Sequence, residues 1–324
     1  MSISFTRRGA LGLTLGLGVA ALATPSLVRA APSALRVGWQ KGGLLGLVKG
    51  DRAFEDALAD QGINVTWSEF TSGPPLLEAM SAGALDFGYT GNVPPVFAHA
   101  ARGNLVFAGA SQGSQEGHAL LVQADSDIQS VADLKGQKVA FKRGSSAHYA
   151  TIKLLETAGL TLDDITPQDL SPPDAIAAFD AGAVRAWTIW DPYFAMAQDR
   201  PNTRVLRTTE GLEQDYNFYS ANGDFAKQNP EIVATLVKSV QAVGEKGQAD
   251  LPQTIKTFAH ETNLSEAVME RFLTRKGTDL GLVSFVEPKH VAYEQGVADA
   301  FYELKIIPRK VDIASAVWTP DHAS

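Results

Sequence analysis

Beyond residue 32 the chain alternates short apolar runs with stretches in which apolar residues recur at helical spacing. "LRVGW" at Leu35–Trp39 reads as a strand, followed by "QKGG" and a helix from Leu44 to Ala59. "INVTWSEF" (Ile63–Phe70) is a second strand, ending in "TSGPP", where Pro74 and Pro75 suit the first turn of a helix. That helix runs through "LLEAMSAG", with Gly83 just past its end. "ALDFGYTG" is a third strand, "VPPVFAHAARG" opens another helix, and "LVFAGA" and "HALLVQA" are further strands. After "NFYSANGDF" (Asn217–Phe225) the pattern turns helical, with helices expected over Pro230–Lys246, Leu251–His260, Leu264–Lys276 and Glu287–Leu304. Strands alternating with helices make this an α/β chain.

The layout recurs. "KVAF" meets "KRGSS" and a helix that stops at Gly159; "ITPQDLS" leads to "PPDAIAAFDAG" and then "AVRAWTIWDPY". "LLEAMSAGALDFGYTG" (Leu76–Gly91) and "AIAAFDAGAVRAWTIW" (Ala175–Trp190) share one plan: a proline-started helix, Ala-Gly-Ala, then an apolar strand. Two like α/β lobes imply a cleft, and open α/β sheets bind ligands beyond the carboxyl ends of their strands. The expected division places residues 32–121 and 222–324 in one lobe and 122–221 in the other, hinged near Leu120–Gln123 and Tyr219–Asn222.

Composition narrows the function. The net charge of -8 and the lack of a basic run argue against nucleic acid as a partner. There is no cysteine, hence no disulfide framework and no thiolate chemistry. The six histidines show no metal-ligand spacing, so neither a metal nor a cofactor is expected. The first 31 residues differ from the rest: Arg7-Arg8, an apolar run from Gly9 to Ala23, Pro25, then small residues. This is an export signal of twin-arginine type, cut after Ala30 or Ala31, with the periplasm as destination.

Candidate chemistry lies at the strand ends. In "RGSSAHY", the backbone amides of Ser145, Ser146 and Ala147 open a helix and are expected to be free, the Ser145 and Ser146 hydroxyls stand beside them, and His148 sits on the first turn. Free N–H groups and the helix dipole suit an oxyanion. An ordinary serine cap explains one such turn. Three further donor-rich turns, carrying Gln40, Ser72-Gly73 and Thr90-Gly91, are more than capping requires. Trp39, Tyr89, Trp187, Trp190 and Tyr193 fall on or beside the same strand ends. Asp191, after Trp190, reads as a helix cap, a lock between lobes or a partner for a cationic ligand group. An aromatic wall beside an anion nest suits a small amphiphile.

"WQKGG", "GPPLLEA", "LDFGYTGNVPPVFAHAARG", "VADLKGQKVAFKRGSSAHY" and "WTIWDPY" together resemble the solute-binding proteins of aliphatic sulfonate ABC transporters, in the nitrate, sulfonate, taurine and bicarbonate group. The resemblance implies a two-lobed periplasmic binding protein of type II, each lobe a mixed sheet flanked by helices, monomeric, that closes over an organosulfonate and presents it to a membrane permease. It marks Gln40, Ser72, Gly73, Thr90, Gly91, Ser145, Ser146, His148, Trp190 and Asp191 as ligand-binding. Trp39 replaces the family's usual Tyr, Asn92 its Asp, and Arg185 a frequent Asp; the last two make the region less negative. Taurine, nitrate or another small oxyanion remains an alternative cargo, and a ligand sensor or a sulfur-compound enzyme an alternative role. Desulfinases of similar fold rely on a cysteine that this chain lacks.

Overall fold

Eleven strands among the described residues build two mixed sheets: β1 (Ala34–Trp39), β2 (Asn64–Glu69), β3 (Phe87–Gly91), β4 (Leu105–Gln112), β5 (His118–Gln123), β6 (Lys138–Phe141), β7 (Thr166–Asp169), β8 (Ala186–Trp190), β9 (Thr203–Thr208), β10 (Tyr216–Asn222) and β11 (Val283–Phe285). The structure, a computed structural model, describes residues 32–212 and 215–320, so the twin-arginine segment and its cleavage point lie outside the described residues. The first sheet has the order β11-β4-β10-β3-β1-β2, and the second β7-β6-β8-β5-β9. In the first, β1 is parallel to β2 and β3, while β10 runs antiparallel between β3 and β4. In the second, β6 is parallel to β7 and β8, while β5 runs antiparallel between β8 and β9. The repeated plan read in the sequence is therefore a repeated topology, with β1, β2 and β3 answered by β6, β7 and β8.

Both faces of each sheet are covered, which explains apolar runs without polar alternation. Along β5, Ala119 and Leu121 pack into one core while Leu120 and Val122 pack into another. In the first sheet, Val37, Phe87 and Tyr219 join the helices Pro230–Ala249 and Leu251–Thr262, whereas Phe107, Ala110 and Phe218 meet the helix Pro288–Glu303. Burying a Leu or Phe contributes about 1.5–3 kcal/mol, against roughly 0–1 kcal/mol for an exposed ion pair. These cores, rather than surface charge, hold each sheet together.

Three expectations shift. The helix expected over Leu44–Ala59 is two helices, Leu45–Gly50 and Ala53–Leu58, because Arg52 takes a left-handed φ of 56° that breaks the ladder. The helix expected over Leu264–Lys276 is shorter, Glu266–Leu273, and frees Arg275 and Lys276 from helical geometry. The hinge positions expected at Leu120–Gln123 and Tyr219–Asn222 lie inside β5 and β10; the chain passes between the sheets at residues 113–117 and between residues 208 and 216. No described helix is long and apolar enough to cross a membrane.

Candidate ligand-binding site

The carboxyl ends of β1, β3 and β8, the start of the helix Ser146–Glu156 and both crossings converge on one open cavity. Seven of the ten expected residues line it: Gln40, Gly73, Gly91, Ser145, Ser146, Trp190 and Asp191. The amide of Gln40 donates to the Tyr89 carbonyl at 2.9 Å, which fixes the side chain at the rim of the first sheet. Ser145 is the extended residue before the helix, and its hydroxyl donates to the Lys142 carbonyl at 2.7 Å rather than capping the helix. The Ser145 N–H, expected to be free, donates to the same carbonyl at 3.2 Å, so the amides left for another acceptor at the helix start are those of Ser146 and Ala147.

The other three expected residues stand behind the wall. Thr90 is fully buried, and its hydroxyl donates to the Gly91 carbonyl at 3.0 Å. Strand side chains alternate, so when Tyr89 and Gly91 face the cavity, Thr90 faces the layer beneath. Ser72 is buried before the helix Gly73–Ser81 and borders a neighbouring groove instead, with Lys142 and Arg143. His148 packs inward, stacked on Phe141 at 5.0 Å, and its Nδ1 accepts the Gly144 N–H at 3.3 Å. Burial lowers its pKa to about 4, so the ring is a neutral packing element.

Other lining residues carried no sequence signal of their own. Ser114 and Gly117 come from the first crossing and Asp215 from the second, His118 opens β5, Asn217 lies in β10, and Phe272 lies on the helix Glu266–Leu273. Of the five aromatic candidates, Tyr89 and Trp190 line the cavity. Trp39 and Trp187 are buried in the cores, and Tyr193 supports Trp190 edge-on at 6.0 Å.

Two carboxylates reach the cavity, in different company. Asp191 is gripped by Arg275, whose Nε and Nη2 both contact it. Both side chains are under a tenth exposed, and the guanidinium also stacks on Phe194 at 3.8 Å. The N-cap of the helix Tyr193–Gln198 is Pro192, not the expected Asp191, which stands one residue earlier and accepts the Ala195 N–H on Oδ1 at 3.0 Å. Its main partner is instead Arg275, which follows the helix that packs on the first sheet's core. Burial lifts Asp191 to about 6 against the lowering pull of Arg275. Asp215 is lifted further, to about 7, by burial opposed by bonds from Tyr293 and the Tyr216 backbone. His118, 3.8 Å away, is lowered to about 4 by burial and stays neutral at pH 7.

Two like sheets that pool strand ends and crossings around one polar, aromatic-edged cavity define a two-lobed solute-binding fold. Residues 53–251 match the model of the ABC transporter phosphonate periplasmic substrate-binding protein family. An Escherichia coli (strain K12) relative named for aliphatic sulfonate binding is 37% identical over 290 residues, 89% of this chain and 90% of the relative. The alkanesulfonate-binding protein SsuA from Xanthomonas axonopodis pv. citri, solved bound to MOPS, is 36% identical with a TM-score of 0.84, covering 90% of this chain and 99% of that one. The periplasmic aliphatic sulphonate binding protein SsuA from Escherichia coli gives 36% identity and a TM-score of 0.78 over 90% and 93% of the two chains. The chain belongs to the periplasmic substrate-binding proteins of ABC transporters, in the branch that contains the aliphatic sulfonate-binding proteins.

Proposed function

We propose that the chain binds an organosulfonate between two lobes, one built on each sheet, and hands it unchanged to the permease of an ABC importer. It is exported to the periplasm by its N-terminal twin arginine and works as a monomer. The lobes hinge at residues 113–117 and at the second crossing. The observation that carries this reading is the convergence of Gln40 and Gly91 from the first sheet with Ser145 and Ser146 from the second on a single cavity. Neutral, preorganised donors at a helix start bind a fully ionised oxyanion once water is excluded. The alkanesulfonate-binding relatives, one of them holding the sulfonate buffer MOPS, support the same ligand class. Trp190, half-buried at the cavity edge, is the apolar wall for the tail.

A thermal-shift panel of alkanesulfonates of increasing length, sulfate and nitrate tests the reading. A sulfonate at a hundred times its Kd stabilises the fold by about 2.7 kcal/mol, a clear rise in Tm. A panel in which nitrate or sulfate shifts the transition and no sulfonate does overturns the assignment. Trp190→Ala tests the tail wall. Each buried methylene contributes about 0.8 kcal/mol, or roughly fourfold in affinity, so the slope of affinity against chain length should flatten in that variant. An unchanged slope in calorimetric titrations places the tail elsewhere.

A further inference from the structure

We propose that Asp215 meets the bound anion as the neutral carboxylic acid, so that binding of an alkanesulfonate takes up a proton from solvent at this side chain. The proposal rests on the sulfonate reading for the ligand and on a cluster of buried groups for the acid. Asp215 lies on the wall of the main cavity and also borders an adjoining one lined by Tyr149 and Tyr293. Its Oδ1 accepts the Tyr293 hydroxyl at 3.0 Å, and Tyr293 in turn accepts from the Asn92 amide at 2.8 Å. Among the described residues, the titratable groups that face it include His118 of β5, Tyr89 of β3, and Tyr293 and Glu294 of the helix Pro288–Glu303. Lys153 lies on the rim of the adjoining cavity.

Each neighbour pushes in one direction. Burial holds the phenols of Tyr89 and Tyr293 neutral and keeps His118 neutral at pH 7, so none of the three supplies a compensating positive charge. Glu294 is fully buried, and neither of its carboxylate oxygens has a hydrogen-bond partner. Burial, reinforced by the charge of Asp215, raises it well above the usual range. Two neighbouring carboxyls, Glu294 fully buried and Asp215 half-buried, already compete for ionisation, so at most one is charged. A sulfonate entering the cavity that Asp215 lines adds a further negative charge. An ionised Asp215 would repel it; a protonated one offers an O–H donor. Because burial has already brought this carboxyl to about 7, little further shift makes the acid the prevailing form at neutral pH. The sign follows. The bound state holds more protons than the free state, so affinity falls as pH rises beyond the free acid's titration.

The test is calorimetry with butanesulfonate at pH 7.5 in two buffers of different ionisation enthalpy, repeated from pH 6 to pH 9. The wild type is expected to take up between half and one proton per ligand, with affinity falling most steeply between the free and bound titrations, by at most tenfold per pH unit. Asp215→Asn, whose amide imitates the acid as a donor, is expected to show no uptake and an affinity independent of pH, and to bind more tightly than the wild type at pH 9. Zero uptake with a flat profile in the wild type overturns the proposal, and this measurement needs no variant to fold. An Asp215→Asn protein that loses affinity equally at every pH also overturns it, because the carboxylate would then act ionised. Butanesulfonate failing to bind at any pH overturns the sulfonate reading itself.

Discussion

Arg275→Met is expected to cost about 3–5 kcal/mol of unfolding free energy, the penalty for stranding a buried charge when its partner is removed. The charge left behind is Asp191, which has a side chain only 3% exposed. Methionine keeps much of the contact with Phe194, so packing accounts for a minor part of the loss. Guanidinium denaturation at pH 7.5 reads the effect. The double variant with Asp191→Asn is expected to regain more than half of it; failure to regain would assign the loss to the lost stack rather than to charge. The pH dependence has a defined sign. A carboxyl whose folded pKa is raised stabilises the fold below its unfolded pKa and loses that contribution as pH rises. Burial already raises Asp191 to about 6, and removing Arg275 takes away its main lowering influence. The deficit of Arg275→Met should therefore be full above neutrality and shrink on acidification. A deficit constant from pH 5 to pH 8 would contradict the mechanism.

That ion pair also shows which parts of the site a sequence exposes. The local signals are strong: a strand, a glycine or proline, then a helix, at Gln40, Ser72, Thr90 and Ser145. They place the strand ends and the two-sheet plan. What they leave open is which way a given side chain points. Tyr89 and Gly91 face the cavity while Thr90, between them, does not, because one residue of register exchanges the faces of a strand. His148 is one helical turn from the ligand-facing amides, yet it turns into a stack with Phe141, which no local rule announces. Partners distant in sequence are equally silent: Arg275 lies 84 residues from Asp191. Asp215 follows the strand β9, which the apolar pattern does not single out, since its residues are mostly half-buried. The strand β11 is three residues long, too short for a period to register. The departures that looked weighty, Asn92 and Arg185, resolve differently. Asn92 caps its helix and holds Tyr293, two contacts away from the cavity wall, while Arg185 pairs with Asp127 on the surface.

Gly42→Val is expected to weaken ligand binding by more than a hundredfold, about 2.7 kcal/mol, while leaving the unfolding transition nearly unchanged. The reason is where the glycine stands. A Cβ at Gly42 would lie 2.5 Å from the Asp191 carbonyl oxygen and 3.3 Å from Pro192 Cδ. Gly42 follows β1 of the first sheet, and Asp191 follows β8 of the second. The clash is thus between the lobes, against backbone, which cannot rotate away as a side chain does. A branched side chain here wedges the cleft open and keeps the donors of one lobe from those of the other. The adjacent glycine makes the contrast. A Cβ at Gly43 would meet Tyr89 of the same sheet at 2.3 Å, so its replacement should injure the first lobe itself and lower Tm. Gly91 gives a milder form of the wedge, with a Cβ 3.0 Å from that of Ser146 in the facing lobe. Gly296→Ala, where the new methyl meets nothing within 4 Å, is the neutral control. Titration calorimetry with solution scattering decides the matter. The wild type should contract when a sulfonate is added, and Gly42→Val should remain at the larger radius. A Gly42→Val protein that binds as tightly as the wild type would show that the lobes need not approach this closely, and the donors of Gln40 and Ser146 would then have to act from one side at a time.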